Sequence, residues 1–119
     1  MKKFYFLNTC NTCQRILNHL VLDSSFELQD LKKNPLNSED LEQLKVLSGS
    51  YEALFSKRAK LYKELGLKEK SLEENDYKNY ILEHYTFLKR PVLVLNDTIF
   101  IGNSSKVINS AKTALLNEK

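Results

Sequence analysis

Apolar and polar positions alternate in two different rhythms along this chain, and the rhythm changes mark its elements. Lys3 to Leu7 is dense in aromatic residues and reads as a strand. From Thr12 the period lengthens. Cys13, Ile16, Leu17, Leu20 and Val21 recur at helical spacing and form one apolar face. Thr9 and Asn11 are placed to cap that helix, and Asp23-Ser24-Ser25 closes it. Phe26 to Leu31 then alternates as a second strand. Strand, helix, strand over so short a span predicts a βαβ unit with parallel strands.

The middle of the chain is helical in pattern. Pro35 interrupts it, and Asn37 or Ser38 can cap a helix carrying Leu41, Leu44 and Leu47, stopped at Ser48-Gly49-Ser50. Tyr51 to Phe55 predicts a short helix, and Leu61 to Leu65 one more turn ended by Gly66. Ser71-Leu72-Glu73-Glu74 has the spacing of a capping box and predicts a longer helix to about Tyr85. Its inward face carries Tyr77, Ile81 and His84 or Tyr85. Strand patterns then return. Pro91 to Leu95 is a continuous apolar run, Asn96-Asp97 a two-residue turn, and Thr98 to Ile101 its partner. Val107, Ile108, Ala111 and Leu115 form the face of a last helix. The order βαβ, helices, ββα makes this an α/β chain, with the helical block (about 37–87) inserted into a sheet-based core.

The chain of 119 residues is long enough for one domain with a real core, residues 1–119. Hydrophobic residues at 42% and charged residues at 28% fit a soluble globular protein. The formal charge of +3 is mild and does not by itself demand nucleic acid, and no apolar stretch approaches the roughly 20 residues needed to span a membrane. Met1-Lys2-Lys3 before an apolar run superficially suggests a secretion signal. The run ends at Leu7 with no small-residue cleavage site, so it reads as a first strand and the expected setting is cytoplasmic.

That setting changes the meaning of the only two cysteines, Cys10 and Cys13. A CxxC in a reducing compartment points to redox or metal chemistry more than to a structural staple. Cys10 falls just before the helix, where unpaired backbone N–H groups favour an anion and lower a thiol pKa. Cys13 falls in the first turn on the same side, placed to resolve a mixed disulfide formed at Cys10. The same pair could also stay reduced, with Cys13 filling core. A metal is the third reading. A zinc site takes about four ligands, and neither His19 nor His84 stands at close spacing to the pair. Thr12 could donate a hydrogen bond to the Cys10 sulfur. Arg15 could reach back to a thiolate or face solvent. Gln14, Asn11 and His19 read as helix surface. Arg90 precedes Pro91 at the start of a strand, where it could supply positive charge, and Pro91 invites a cis bond. Lys57 to Lys70 holds six positive and two negative residues, a solvated face or an anion-docking surface.

Taken together, these motifs resemble the arsenate reductase (ArsC)/Spx family. The resemblance rests on the strand leading to Cys10-Asn11-Thr12-Cys13, on Leu54-Phe55-Ser56-Lys57-Arg58, on Tyr62-Lys63-Glu64-Leu65-Gly66-Leu67, on Leu88-Lys89-Arg90-Pro91-Val92-Leu93-Val94, and on Ile101-Gly102. It implies a thioredoxin-like fold with a central mixed four-stranded sheet and a helical insertion, a cis Pro91, and a reactive cysteine at Cys10. It also implies a thiol-dependent reduction of arsenate or a disulfide at Cys10, while the resolving role of Cys13 rests on its place in the first turn, where the family's arsenate enzymes usually have serine or another non-cysteine residue. Glutathione with glutaredoxin, or thioredoxin, would act as external reductant, and no bound cofactor is implied. Of the three arginines around the oxyanion in the arsenate enzymes, Arg90 matches the second. The first falls on Ser56, with Arg58 nearby, and the third on Asn103. The CxxC itself resembles Spx-type regulators, which use the pair as a redox switch and bind the RNA polymerase alpha subunit. That resemblance implies a protein partner and no direct contact with nucleic acid.

Overall fold

The computed structural model describes residues 1–118, and the chain divides into two compact units. The first joins Met1–Asn34 to the chain from Arg90 onward; the second is Pro35–Lys89. Four strands make the sheet of the first unit: β1 (Lys2–Phe6), β2 (Glu27–Asp30), β3 (Val92–Leu95) and β4 (Thr98–Ile101). Their order is β2-β1-β3-β4, with β1 and β2 parallel and the other neighbours antiparallel. Helices α1 (Asn11–Leu20) and α5 (Ser105–Asn117) complete the unit. This mixed sheet with flanking helices is a thioredoxin-like fold.

Strand parity explains the core. Phe4 and Phe6 from β1 and Leu93 from β3 meet Cys13, Ile16 and Leu20 of α1 and Ala111 of α5. The alternate positions Tyr5, Val92 and Val94 are fully buried as well, which is why β3 reads as an unbroken apolar run rather than an alternating one. Each such side chain contributes about 1.5–3 kcal/mol by leaving water. Among the described residues, the buried polar or charged side chains of Lys3 and Gln29 are partnered. Lys3 Nζ lies 3.4 Å from Glu27 and over the Tyr5 ring, and Gln29 Nε2 donates to the Asn34 carbonyl at 2.8 Å.

The second unit contains α2 (Ser38–Ser48), α3 (Lys60–Glu64) and α4 (Glu74–Glu83), with single 3₁₀ turns at Glu52–Leu54, Leu67–Glu69 and Tyr85–Phe87. Asn37 caps α2 by accepting from the Asp40 N–H at 2.8 Å, and Gly49 ends it in the left-handed region. An aromatic group forms its centre. Phe55 stacks on Phe87 and meets Tyr62, Tyr77 and Tyr80 edge-on or tilted.

Three local expectations need correction. The N-cap position of the first helix falls on Cys10, not on Thr9 or Asn11. The capping box of α4 joins Glu73 to Asp76 rather than Ser71 to Glu74. Glu74 is occupied elsewhere: its two oxygens accept from the Tyr51 and Glu52 N–H groups at 2.7 and 3.0 Å. The helix also ends at Glu83, because His84 turns extended and its Nδ1 accepts from the Thr86 N–H at 3.0 Å. Among the described residues, no helix is long and apolar enough to cross a membrane.

Candidate active site

The end of β1 is pinned before the cysteines begin. The Phe6 carbonyl accepts from the Leu31 N–H at 2.9 Å, and a tight turn follows in which the Cys10 N–H donates to the Leu7 carbonyl at 3.0 Å. Cys10 then takes the N-cap position of α1 with φ −92° and ψ 112°, and its own carbonyl accepts from the Gln14 N–H at 3.1 Å. Ser, Thr, Asp or Asn usually fills this position and satisfies the first helical amides. A thiol is a poor acceptor, and the neutral Cys10 side chain makes no capping hydrogen bond of normal geometry; it is the thiolate that draws on the Thr12 and Cys13 amides. No acidic residue stands in the first turn of α1 to compete for those amides. The helix start is therefore prepared for a negative charge on Cys10 rather than for a neutral cap.

Both cysteines are free thiols, with Cys10 partly exposed and Cys13 buried. Their acidities diverge. Burial pushes the Cys10 pKa up, but the Cys13 N–H, the Cys13 thiol, the Thr12 N–H and the positive charge of Arg90 outweigh it, and the net shift is downward. Burial dominates at Cys13, and the neighbouring Cys10 sulfur adds to it. The Leu7 N–H and Arg90 oppose them only in part, so the Cys13 thiol is pushed up to about 11. One thiol is thus disposed to ionise first, and its partner holds a proton to share with it.

Arg90 is half-buried and immediately precedes Pro91 across a cis peptide bond. The strand behind it is fixed, since the Gly102 N–H donates to the Pro91 carbonyl at 2.9 Å. Cys10, Cys13, Thr12 and Arg90 therefore form one electrostatic group, with Thr12 acting through its backbone N–H. Arg15 is exposed on α1, and Arg58 is exposed in the second unit just before α3. In the basic run, Lys57 pairs with Glu52 at 3.0 Å and Lys60 approaches Glu64 at 3.9 Å. Among the described residues, no group of three or more His, Cys, Asp or Glu side chains could hold a metal ion.

Gln14 is more than helix surface. Its Nε2 donates to the Asn8 side-chain oxygen at 2.7 Å and to the Asn8 carbonyl at 3.2 Å. The Asn8 N–H in turn donates to an Asp30 carboxylate oxygen at 3.3 Å, at the end of β2. The pairing of residues 8 and 14 crosses a turn and a helix start, so no strand or helix periodicity could have revealed it.

The ArsC family model matches residues 5–111. None of the curated proteins matches the chain. Among solved structures, a possible arsenate reductase from Streptococcus mutans is similar at 29% identity, with 88% of this chain and 92% of that one covered and a TM-score of 0.67. An arsenate reductase from Vibrio cholerae shares the fold at 20% identity, covering 92% and 96%, with a TM-score of 0.76. So does an arsenate reductase (ArsC) related protein from Brucella melitensis, at 18% identity, 92% coverage of each chain and a TM-score of 0.70.

Proposed function

This chain belongs to the ArsC family, and we propose that within it the protein is a dithiol oxidoreductase with Cys10 as nucleophile and Cys13 as resolving thiol. The observation that carries this reading is the opposed acidity of two cysteines in one helical turn. Cys10 is partly exposed and lowered, whereas Cys13 is buried and raised. A nucleophile needs its thiolate near neutral pH. A resolving thiol must stay protonated and out of reach until the first step is complete.

With a disulfide as substrate, the Cys10 thiolate attacks one sulfur. The substrate S–S bond breaks, its other sulfur leaves as a thiolate, and a mixed disulfide forms. Cys13 gives up its proton and attacks the Cys10 sulfur. The mixed disulfide breaks, the second substrate thiol leaves, and Cys10–Cys13 is the oxidised product. Two electrons have passed from the protein dithiol to the substrate. An external dithiol of the glutaredoxin or thioredoxin type, or glutathione, returns them. Arsenate would follow the same course. Cys10 displaces an oxygen from arsenic with loss of water, and attack by Cys13 then releases arsenite with arsenic reduced by two electrons. An oxyanion with several negative oxygens calls for several positive neighbours. Ser56 and Asn103 stand where the resemblance expects two of the arginines, and Arg90 is the guanidinium acting on both sulfurs. This favours a disulfide substrate.

The test is a coupled reductase assay on a disulfide substrate and on arsenate, with glutaredoxin or thioredoxin supplied. Cys10→Ser should abolish turnover. Cys13→Ser should still form the mixed disulfide and stall there unless an added thiol resolves it. Turnover that survives Cys10→Ser removes the assignment. If wild type turns over neither substrate while the pair still cycles between dithiol and disulfide and changes what protein it captures, the chain is a redox-switched binding protein instead.

A further inference from the structure

We propose that Gln14 is a positioning residue for the Cys10 thiol, holding the turn before Cys10 and the helix after it in one fixed relation. The proposal rests on the reading of Cys10 as nucleophile and adds the device that aims it.

Gln14 grips the chain on both sides of Cys10. Its backbone N–H donates to the Cys10 carbonyl at 3.1 Å. Its carboxamide donates to both oxygens of Asn8, at 2.7 and 3.2 Å, two residues before the cysteine. Asn8 is itself held to Asp30 through its backbone N–H. The Cys10 N–H closes the same turn on Leu7. Thr9 and Cys10 thus lie between two points of the chain that Gln14 holds, one through its backbone N–H and one through its carboxamide, and Cys10 sits there with φ −92° and ψ 112°. Those dihedrals decide whether the sulfur faces the Thr12 and Cys13 amides, whose donation falls off once the sulfur leaves the first turn. A surface glutamine bonded only to water would contribute helix propensity and nothing else. Donation to a main-chain carbonyl and a side-chain oxygen of the same loop residue is what distinguishes this one.

The experiment measures Cys10 alkylation by iodoacetamide as a function of pH, with the modified site identified by mass spectrometry. It is run on wild type, Gln14→Ala, Asn8→Ala and the double variant. Gln14→Met keeps the length and helix propensity of the side chain without its donors, and secondary structure by circular dichroism confirms the fold of each. The apparent Cys10 pKa should rise by roughly half a unit when the clamp is lost. Gln14→Met should match Gln14→Ala, Asn8→Ala should rise less because it keeps the main-chain acceptor, and the double variant should rise no further than Gln14→Ala. An unchanged Cys10 profile overturns the proposal, and a lowered melting temperature beside it makes the clamp structural only. So does full additivity of the two single variants, because unlinked residues add. Failure of the oxidoreductase reading looks different: wild type turns over no substrate, yet the profile still moves with Gln14.

Discussion

Cys10 stands at the N-cap of the α1 turn that holds Cys13, but Cys13 is fully buried while Cys10 is partly exposed, and their pKa values move apart. The first expected outcome is chemical selectivity. A small alkylating reagent at pH 7–8 should modify Cys10 and leave Cys13 untouched, as read by peptide mapping. Cys13 should react only on unfolding or as the pH nears about 11. Equal labelling of both sites at neutral pH would refute the opposed acidities.

The buried thiol also sets a sign for alkaline stability. The folded Cys13 pKa is raised from 9.0 to about 11, so the fold holds a proton that the unfolded chain releases. Its stabilisation is complete below the unfolded value and is lost as pH rises through the folded one, amounting to roughly 2–3 kcal/mol. Cys10, with its pKa lowered, has the opposite sign: its contribution is present above the unfolded value and is lost as pH falls through the folded one. Wild type should therefore lose stability between pH 9 and 11 more steeply than Cys13→Ala. Denaturant unfolding across that window tests it, and parallel curves for the two proteins would contradict it.

Arg90 acts on both sulfurs, but it is the smallest of the five leading influences on Cys10. Replacing it should weaken the thiolate without abolishing it. Arg90→Met is expected to slow Cys10 alkylation at pH 7 by about two- to five-fold, since each pKa unit near this range is worth up to tenfold in thiolate. Arg90→Lys should recover most of the rate, and the gap between Met and Lys should narrow at high salt, as screening requires for a half-exposed charge. A Met variant as fast as wild type at low salt would leave Arg90 without electrostatic influence on Cys10.

The sheet was legible because its strands obey simple rules. Aromatic β1 and the unbroken apolar β3 announce themselves, and Asn96-Asp97 marks the hairpin by length alone. The cysteine position was legible because a strand running straight into a helical period leaves few places for the junction. What escaped were side chains whose partners lie across turns. Glu74 resembles a capping residue until its oxygens are found on Tyr51 and Glu52, twenty-odd residues away. Gln14 resembles a solvated helix position until Asn8 folds back to it. Hydrogen bonds of this kind depend on where two loops arrive, which hydrophobic periodicity does not encode.

Phe55 is the residue on which the aromatic group of the second unit converges. It is buried, with ring centroids 5.4 Å from Phe87 and 4.8 Å from Tyr77. Phe55→Ala removes both the buried area and the ring contacts and should cost about 3–5 kcal/mol. Phe55→Leu keeps most of the volume and should cost well under half of that, about 1–1.5 kcal/mol. Urea unfolding distinguishes them. Similar losses for the two would mean that ring stacking, not volume, holds the group together.

Val21 ends α1 in the left-handed region at φ 54°, with its N–H on the Leu17 carbonyl at 3.3 Å. Glycine or asparagine usually takes this position, because a β-branched side chain there crowds the backbone at a cost of about 1–2 kcal/mol. The side chain recovers little in return, being 72% exposed. Val21→Asn should therefore stabilise the protein by about 1 kcal/mol, raising the melting temperature by on the order of 4 °C. Val21→Gly relieves the same crowding but also loosens the unfolded chain, and should gain about half as much. Gly49 supplies the control with the opposite sign. It holds φ 95° at the end of α2, so Gly49→Ala introduces the strain that Val21 already carries and should destabilise by about 1 kcal/mol. A fall in melting temperature for both Val21 variants would mean that the exposed valine makes a contact worth more than its strain.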